Sequence, residues 1–384
     1  MRLKAHSLSC DEIKRQGLYR QRIALSRQAG FLSDTDGSYL DFISNDYLRL
    51  SQHRDVKKAM IKAVETYGVG SGASAIVSGY SVYTQALEQR FAEFVGYPAA
   101  LFVNSGYHAN LAVMSTLLNP DDVILADKHV HASIIDGVSL SGARMKRFSH
   151  QHFCQLADLA KRFPEAQYVI SEGIFSMEGD ITDLKRLRQA MKRKQKLIVD
   201  DAHGFGILGR NGRGSVDFAS LSVDEVPVFV VPFGKAMGAM GAMICADEVT
   251  IDRIVQLARS FLFSTALPPA VVAASISALS VLEKSDEPRQ CLFDNIRYFN
   301  RRCEDLGLKL SSFDMTPIRS IVIGDNRRLM RLQQNLKEQG FYVAAIRPPT
   351  VAENSSRLRI SLSCDHRHED IDRLLKAIKR DDDE

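Results

Sequence analysis

From about residue 99 onward, short apolar runs alternate with longer amphipathic stretches. This order of strand, helix and strand predicts parallel crossover connections and therefore an α/β sheet. Runs such as Val228–Val231 are continuously apolar, which indicates strands that are buried on both faces. The predicted strands are Ala100–Val103, Val123–Ala126, Tyr168–Ser171, Leu197–Asp200, Val226–Val231 and Ala242–Ala246.

The pattern changes after a long Ala-, Ser- and Leu-rich helix predicted over Pro269–Lys284. Beyond it the sequence predicts a smaller α+β region with strands Ser320–Ile323, Val343–Ile346 and Leu358–Leu362 and a last helix Asp370–Lys379. A strand near the N-terminus, Tyr39–Phe42, is expected to belong to the same region. We therefore predict an N-terminal arm (1–50) that packs with the small domain, a large domain (51–280) and a C-terminal small domain (281–384).

Composition excludes several classes of protein. The 384 residues are 45% hydrophobic and 25% charged, which is typical of a globular chain and excludes a disordered or fibrous one. No apolar run reaches about 18 residues, and the N-terminal residues lack the apolar centre of a signal peptide, so a cytoplasmic location is expected. The net charge of +4 gives no global sign of nucleic-acid binding. No histidine pair has the cysteine or carboxylate spacing of a metal site, so no metal is expected.

One segment is strongly basic. Residues Lys185 to Lys196 contain seven Lys or Arg residues, and the leucines among them predict a helix over Leu184–Lys194. Such a run is either the solvated face of a helix or a landing site for an acidic partner. The sequence leaves both interpretations open.

Polar residues follow five of the predicted strands where each strand ends. In open α/β sheets ligands bind at the carboxyl ends of the strands, so this clustering predicts a binding site at one edge of the sheet. The segments concerned are Asn104–Tyr107, Asp127–Ser133, Glu172–Asp180, Asp200–Gly204 and Pro232–Lys235.

Three of these segments indicate a specific chemistry. Lys235 follows a buried strand, where partial desolvation would free a nucleophilic amine of the kind that forms Schiff bases. Asp200 ends an apolar run and needs a cationic partner, such as a pyridinium nitrogen. Gly106 opens a helix, whose N-terminus attracts a phosphate. A surface lysine, a structural ion pair and an ordinary turn are the alternatives. A P-loop is excluded because no lysine follows the glycines at 68–72.

In order and spacing, nearly the whole chain resembles the α-oxoamine synthases, which are fold type I enzymes that depend on pyridoxal 5'-phosphate (PLP). The segments that carry the resemblance are Ser44–Leu48, Gly70–Gly72, Val77–Ser81, His131–Ser133, Glu172–Met177, Asp200–His203, Phe233–Ala236, Thr265–Pro269 and Ala345–Val351. The resemblance implies a large domain with a mostly parallel central sheet. The last segment resembles the branch that joins L-alanine to a pimeloyl thioester.

The resemblance implies roles for residues around the cofactor. Lys235 would bind PLP covalently and later move protons at the substrate carbon. Asp200 would pair with the pyridine nitrogen, and His203, assisted by Ser176, would hydrogen-bond the phenolic oxygen. His131 would stack on the ring.

It also implies how phosphate and substrates are bound. Gly106 and Tyr107 would bind the phosphate through backbone N–H groups, and Ser264 and Thr265 would reach it from the other subunit of a homodimer. The amino-acid substrate would lie against Asn45 and His131. Its carboxylate would be clamped by Arg359, and Arg20 would contact the acyl substrate.

The sequence departs from the family pattern at Pro232 and at His108, and two alternative functions remain open. Pro232 stands where the family usually has a phosphate-binding Thr or Ser, which puts one contact in doubt. His108 either touches the phosphate or faces outward. The alternatives are a synthase that uses glycine or serine instead of alanine, and a non-catalytic relative of the fold. The carrier of the pimeloyl group is either coenzyme A or an acyl carrier protein.

Overall fold

A computed structural model of the chain describes residues 9–15, 18–28, 30–348 and 350–383. They form two compact units. The large unit comprises residues 48–175 and 181–286, and the small unit comprises the described parts of 1–47, 176–180 and 287–384. The first eight residues of the predicted arm, and Pro349 of the family segment, lie outside the described residues. The three-part division made from the sequence stays a prediction.

Strands and helices alternate through most of the chain. The strands are β1 Ser26–Gln28, β2 Phe31–Ser33, β3 Ser38–Asp41, β4 Ala99–Val103, β5 Val123–Asp127, β6 Arg144–Phe148, β7 Tyr168–Glu172, β8 Lys196–Asp200, β9 Val228–Pro232, β10 Ala242–Ala246, β11 Ile318–Gly324, β12 Phe341–Tyr342, β13 Ala344–Ile346 and β14 Ser356–Ser361. The helices are α1 Cys10–Arg15, α2 Arg54–Tyr67, α3 Val82–Val95, α4 Gly106–Leu117, α5 Ala132–Ser141, α6 Phe153–Arg162, α7 Leu184–Ala190, α8 Ser215–Phe218, α9 Glu248–Leu257, α10 Arg259–Leu262, α11 Pro269–Leu282, α12 Asp286–Leu306, α13 Asn326–Glu338 and α14 His368–Asp383.

The large unit is built on a seven-stranded sheet with the order β4-β10-β9-β8-β7-β5-β6. Strand β10 is antiparallel to both β4 and β9, and the remaining pairs are parallel. Strands β4, β5, β7, β8 and β9 therefore run in one direction, and their carboxyl ends meet at one edge. The six strands predicted from apolar runs are confirmed with shifts of one or two residues, as is the mostly parallel sheet.

The sequence analysis missed β6 of the seven-stranded sheet and the short strands β1, β2 and β12 of the small unit, and it made helix α7 four residues too long. Strand β6 is Arg-Met-Lys-Arg-Phe, an edge strand in which three basic residues interrupt the apolar pattern. Helix α7 ends at Ala190 rather than Lys194. Beyond it, the Arg188 guanidinium donates to the carbonyls of Lys192 and Arg193, and the Gln195 carboxamide oxygen accepts the Lys192 N–H at 2.9 Å. These bonds stabilise a turn in place of the last helical turn.

The small unit contains two further sheets, β1-β2-β3-β12 and β11-β14-β13. The parallel pairing of Leu40 with Phe341 joins the N-terminal strand β3 to β12. Strand β14 lies between β11 and β13, and every one of its residues is buried. In the described part of the chain no helix has both the length and the apolar character needed to cross a membrane.

Candidate active site

The strand-end edge of the large unit holds a buried carboxylate at the end of β8. Asp200 is 4% exposed. Its Oδ1 accepts the Ala202 N–H at 3.1 Å, and its Oδ2 accepts the Asn110 side-chain amide at 2.7 Å. The neighbouring strand places Glu172 directly beside Asp200 in the sheet register. Two carboxyl groups are thus desolvated side by side at the predicted site.

His131 is the N-cap of helix α5 at the same edge. Its Nδ1 accepts the backbone N–H of Ser133 at 3.3 Å and lies 2.7 Å from the Ser133 hydroxyl. The Ser133 hydroxyl is also 2.9 Å from the Asn110 amide nitrogen, which bonds Asp200 as well. The structure therefore joins two predicted residues, His131 and Asp200, through Asn110, which the sequence analysis did not single out, and Ser133, which lay in a predicted strand-end segment but was given no role. The available signal was an asparagine one turn into helix α4, whose middle is mostly apolar.

Lys235 lies in the loop between β9 and β10 and is half-buried. Its carbonyl accepts the Gly238 N–H at 2.7 Å, which fixes the loop beside the lysine. Burial raises the pKa of Glu172 well above its ordinary value, and the charge of Asp200 raises it further. A hydrogen bond from the His131 backbone and the charge of Lys235 oppose this shift in the pKa. The charge of Lys235 therefore acts on the buried Glu172 carboxyl.

The turn between β8 and α8 contains His203, which is 3% exposed. It also contains Asp201, whose Oδ2 accepts the Ser215 N–H at 2.8 Å. Burial raises the pKa of Asp201 to about 7. A Cβ atom added at Gly204 would lie 2.2 Å from the Asp201 carboxylate, so this turn requires glycine at that position.

The predicted phosphate turn is the first turn of α4. Ser105 is the N-cap, and its hydroxyl accepts the His108 N–H at 3.3 Å and lies 2.8 Å from His108 Nδ1. The first N–H groups of a helix have no acceptor within the helix, so Gly106 and Tyr107 present theirs at this end. The Tyr107 hydroxyl donates to Asp136 on α5, and this bond raises the pKa of Tyr107. The side chain of Tyr107 is therefore engaged away from the turn.

Pro232, the unusual residue at the end of β9, packs directly on this turn. A Cβ atom added at Gly106 would lie 2.5 Å from Pro232 Cγ. The close approach of the Pro232 ring therefore requires glycine at position 106. The ring also takes the place of the Thr or Ser side chain whose hydroxyl the family usually has at position 232.

Ser264 and Thr265 follow α10. The Ser264 hydroxyl donates to the Ser260 carbonyl at 2.7 Å, and the Thr265 carbonyl accepts the Asn104 amide at 2.9 Å. The Thr265 side chain is exposed. Within one chain these two residues bond to the polypeptide around them, and their predicted reach to a second subunit stays a prediction.

The small unit contains a second cluster, centred on Arg359 of β14. Arg359 is 6% exposed. Its guanidinium donates to the Ser176 carbonyl at 2.7 Å, to the Ser361 hydroxyl at 3.1 Å and to the Asn45 amide oxygen at 3.1 Å. All three acceptors are neutral. The predicted residues Arg359, Asn45 and Ser176 are thus brought together around a buried cation.

Tyr47 also belongs to this cluster. Its hydroxyl donates to the Asn45 amide oxygen at 3.2 Å. Burial raises the pKa of Tyr47 to about 12, although the adjacent Arg359 guanidinium opposes the shift. The sequence analysis did not assign a role to Tyr47 or to Ser361.

Arg20 lies elsewhere in the small unit, exposed on the surface. It donates to the Thr350 hydroxyl at 3.3 Å. Partial burial lowers the pKa of Arg347, and the charge of Arg20 lowers it further. Two arginines therefore lie close enough to repel each other, which is a favourable environment for an anion.

A family model described as aminotransferase class I and II matches residues 38–378. The chain belongs to this family. It is 41% identical over 372 residues to the 8-amino-7-oxononanoate synthase of Marinobacter nauticus, covering 96% of this chain and 94% of the relative. The resemblance stated from the sequence motifs is confirmed by this relative.

Solved structures agree. The chain superposes with a TM-score of 0.82 on 8-amino-7-oxononanoate synthase from Francisella tularensis, with 38% identity over 90% of this chain and 98% of that one. It superposes with a TM-score of 0.91 on a variant of serine palmitoyltransferase from S. paucimobilis with a bound PLP–myriocin aldimine, with 26% identity over 97% and 95% of the two chains. The predicted fold class is therefore confirmed. The roles of the individual site residues stay predictions.

Proposed function

We propose that this chain condenses L-alanine with a pimeloyl thioester and releases CO2 and the free thiol carrier, forming 8-amino-7-oxononanoate, a step of biotin biosynthesis. The observation that carries the proposal is the set of residues at the strand ends of the large unit. Lys235, Asp200, His203 and His131 all lie there, in a chain 41% identical to a synthase of that name.

The residues present fit PLP as the cofactor. A carboxylate that is 4% exposed needs a cationic partner, and a protonated pyridine nitrogen supplies one. Its two oxygens already accept the Ala202 and Asn110 N–H groups, which fix the orientation of the carboxylate. When bound, PLP withdraws electrons from the amino-acid Cα, so that a proton and later CO2 can leave.

The remaining residues predicted around the cofactor have distinct tasks in this proposal. Lys235 anchors the cofactor and then removes and returns the proton at Cα. His131 covers one face of the ring. His203 donates to the phenolic oxygen, and Ser176 assists it.

Phosphate binding falls to the start of α4, where Gly106 and Tyr107 offer backbone N–H groups and the positive end of the helix dipole. Pro232 cannot contribute either a hydroxyl or an N–H. We propose that Ser264 and Thr265 of a second subunit supply further contacts to the phosphate.

Arg359 is the proposed anchor for the alanine carboxylate, with Asn45 beside it. A buried guanidinium whose acceptors among the described residues are neutral is poised for an anionic ligand, and two parallel N–H···O bonds would fix its orientation. Arg20, with Arg347 and Thr350, is the proposed contact for the far carboxylate of the pimeloyl group.

We propose a homodimer. Several apolar side chains of the large unit are exposed, among them Val69, Val77, Val82 and Phe263, with exposed fractions of 70% or more. The loop that carries Val69 and Val77 also packs on the residues after Phe263, because Ser71 donates to the Ala266 carbonyl at 2.6 Å. Apolar surface of this kind is typical of a covered interface. Analytical ultracentrifugation should show a dimer, and a monomer at micromolar concentration would contradict this proposal.

The basic run supports an acyl carrier protein as the thioester carrier, since carriers of this kind are acidic. Its residues Lys185, Arg186, Arg193, Lys194 and Lys196 are exposed. Charge reversal at Lys192 and Arg193 should raise the KM for the carrier-protein thioester and leave the KM for the coenzyme A thioester unchanged. If the charge reversal leaves the KM for the carrier-protein thioester unchanged, the carrier protein is removed from the proposal.

The proposed function is tested by incubating the PLP-loaded protein with pimeloyl-CoA and alanine, glycine or serine in parallel, with mass-spectrometric detection of product. We expect 8-amino-7-oxononanoate from alanine and at least tenfold lower kcat/KM with the other two amino acids. Preference for serine would favour the alternative of a serine-using synthase, to which the likeness to serine palmitoyltransferase also points. No product with any of the three would favour a non-catalytic relative.

A further inference from the structure

We propose that Asn110 and Ser133 are positioning residues that hold His131 as the tautomer protonated on Nε2 and, through one shared amide, hold the Asp200 carboxylate. Neither residue is expected to touch substrate. The cofactor part of this inference rests on the proposed function, whereas the tautomer of His131 does not.

The first step concerns the Asn110 amide. Its nitrogen lies 2.7 Å from Asp200 Oδ2 and 2.9 Å from the Ser133 hydroxyl. An amide nitrogen carries two hydrogens, so both are used, one toward each partner. The opposite orientation would set the amide oxygen against the buried carboxylate, which is electrostatically unfavourable. The carboxylate thereby fixes which way the amide points.

The second step concerns the Ser133 hydroxyl. Because its oxygen accepts a hydrogen from Asn110, its own hydrogen is free to point toward His131 Nδ1, 2.7 Å away. The backbone N–H of Ser133 points at the same nitrogen, at 3.3 Å. Two donors converge on Nδ1, so Nδ1 is an acceptor and the neutral ring carries its hydrogen on Nε2.

The third step concerns what this arrangement costs. Asn110 is 1% exposed, and within the described residues no group donates to its Oδ1. A buried acceptor without a partner costs free energy. The structure tolerates this unfavourable free energy, and in return both N–H groups of the Asn110 amide point at Asp200 and Ser133. This is expected if the orientation of Asp200 and Ser133 matters to the site.

A helix cap alone does not account for the arrangement. Capping α5 requires only that His131 Nδ1 accept the Ser133 N–H. The hydroxyl of Ser133 and the two-sided amide of Asn110 are additional, and they connect the cap to the end of a different element, β8. As a consequence, the His131 ring has a defined Nε2–H donor, and the same hydrogen-bond network fixes the orientation of the Asp200 carboxylate.

The experiment measures the ¹⁵N resonances of His131 in full-length protein labelled on histidine, with and without PLP, assigned by a His131→Gln variant. The variants are Asn110→Ala and Ser133→Ala, with Ser133→Thr to restore the hydroxyl. Ser115→Ala is the matched control, since this hydroxyl on α4 donates only to the Leu111 carbonyl of its own helix. The PLP dissociation constant is measured for each protein, and thermal unfolding checks that each one folds.

We expect wild-type His131 to be protonated on Nε2 and unprotonated on Nδ1. Both alanine variants should move the Nδ1 resonance, although Asn110 does not contact His131. Asn110→Ala should also raise the PLP dissociation constant at least tenfold, and Ser133→Ala by less than threefold. Ser133→Thr and Ser115→Ala should match the wild type.

Protonation on Nδ1 in the wild type would overturn the proposal. So would alanine variants whose Nδ1 resonance and PLP dissociation constant equal those of Ser115→Ala. If Asn110→Ala does not fold, the comparison of Ser133→Ala with Ser133→Thr decides the matter. Failure of the wild type to bind PLP would contradict the proposed function, while the His131 resonances would still decide the tautomer.

Discussion

The two clusters of predicted site residues differ in the sign of their buried charge. At the strand ends of the large unit, Glu172, Asp200 and Asp201 are all under 5% exposed, so the desolvated groups are acids. In the small-unit cluster the desolvated group is the Arg359 cation, held by neutral oxygens. A buried charge is stabilised by a partner of opposite charge, so the first cluster suits a cationic ring nitrogen and the second a carboxylate. We therefore propose that the first cluster recognises the cofactor and the second the amino acid, each by complementary charge.

The clusters also differ in how they are assembled. The large-unit residues follow consecutive strands, and the parallel sheet brings them to one edge. The small-unit residues come from three distant segments, at Asn45, Ser176 and Arg359. The first arrangement follows from local pattern and topology, and the second depends on long-range packing.

The largest expected effect is from Lys235→Ala. If Lys235 handles the Cα proton, turnover should fall by more than about 1,000-fold, because no other group of the proposed set has that task. Circular dichroism should match the wild type, since the side chain lies in a loop. Turnover of the variant within tenfold of wild type would contradict a catalytic role for Lys235 and for the large-unit cluster.

Asp201→Asn tests whether the large-unit acids are held in an unfavourable, desolvated state. Burial raises the pKa of Asp201 to about 7, so the folded chain binds this proton more tightly than the unfolded chain does. The stabilisation by this proton is therefore complete below about pH 4 and is lost as the pH rises to about 7. The loss is about 4 kcal/mol of unfolding free energy.

Urea unfolding between pH 4 and 8 measures this effect as the difference between wild type and variant. The variant should show a flatter decline across that range, and Asp224→Asn, at an exposed position, should keep the wild-type slope. Identical slopes for wild type and Asp201→Asn would mean that this carboxyl is not desolvated.

Arg359→Ala tests the small-unit cluster. Loss of a charge-assisted contact to the amino-acid carboxylate should raise the KM for L-alanine by roughly 30- to 100-fold. Arg357→Ala is the matched control, because Arg357 lies two residues away on β14 and pairs with Glu178 at 3.2 Å. Its KM for alanine should stay within threefold of wild type. Equal effects of the two variants would show that Arg359 has no special role in substrate binding.

The smallest expected effect is at Pro232. A Pro232→Thr variant places a hydroxyl beside the turn at Gly106, and PLP should dissociate about fivefold more slowly, as one added hydrogen bond predicts. Pro232→Val, of similar size but without the hydroxyl, should dissociate at the wild-type rate. If Thr and Val behave alike, the turn at Gly106 needs no further donor.

The sequence predicted one cluster from the residues and the other only through resemblance. Asp200 and Lys235 could be singled out because each follows a continuous apolar run. Arg359 sits in the middle of a buried strand, and nothing in its local pattern separates it from Arg357. Asn110 and the role of Ser133 were missed because both residues lie inside helical turns, where a polar residue ordinarily faces solvent or caps the helix.

The most direct test of the account is the visible absorption band of the bound cofactor, titrated with L-alanine in the wild type and in Arg359→Ala. We predict that the wild type acquires the band with added PLP and that alanine shifts it saturably. In the variant the band should form equally well, but at least tenfold more alanine should be needed to shift it. Failure of the wild type to form the band, or the same alanine midpoint in both proteins, would contradict the division of labour between the two clusters.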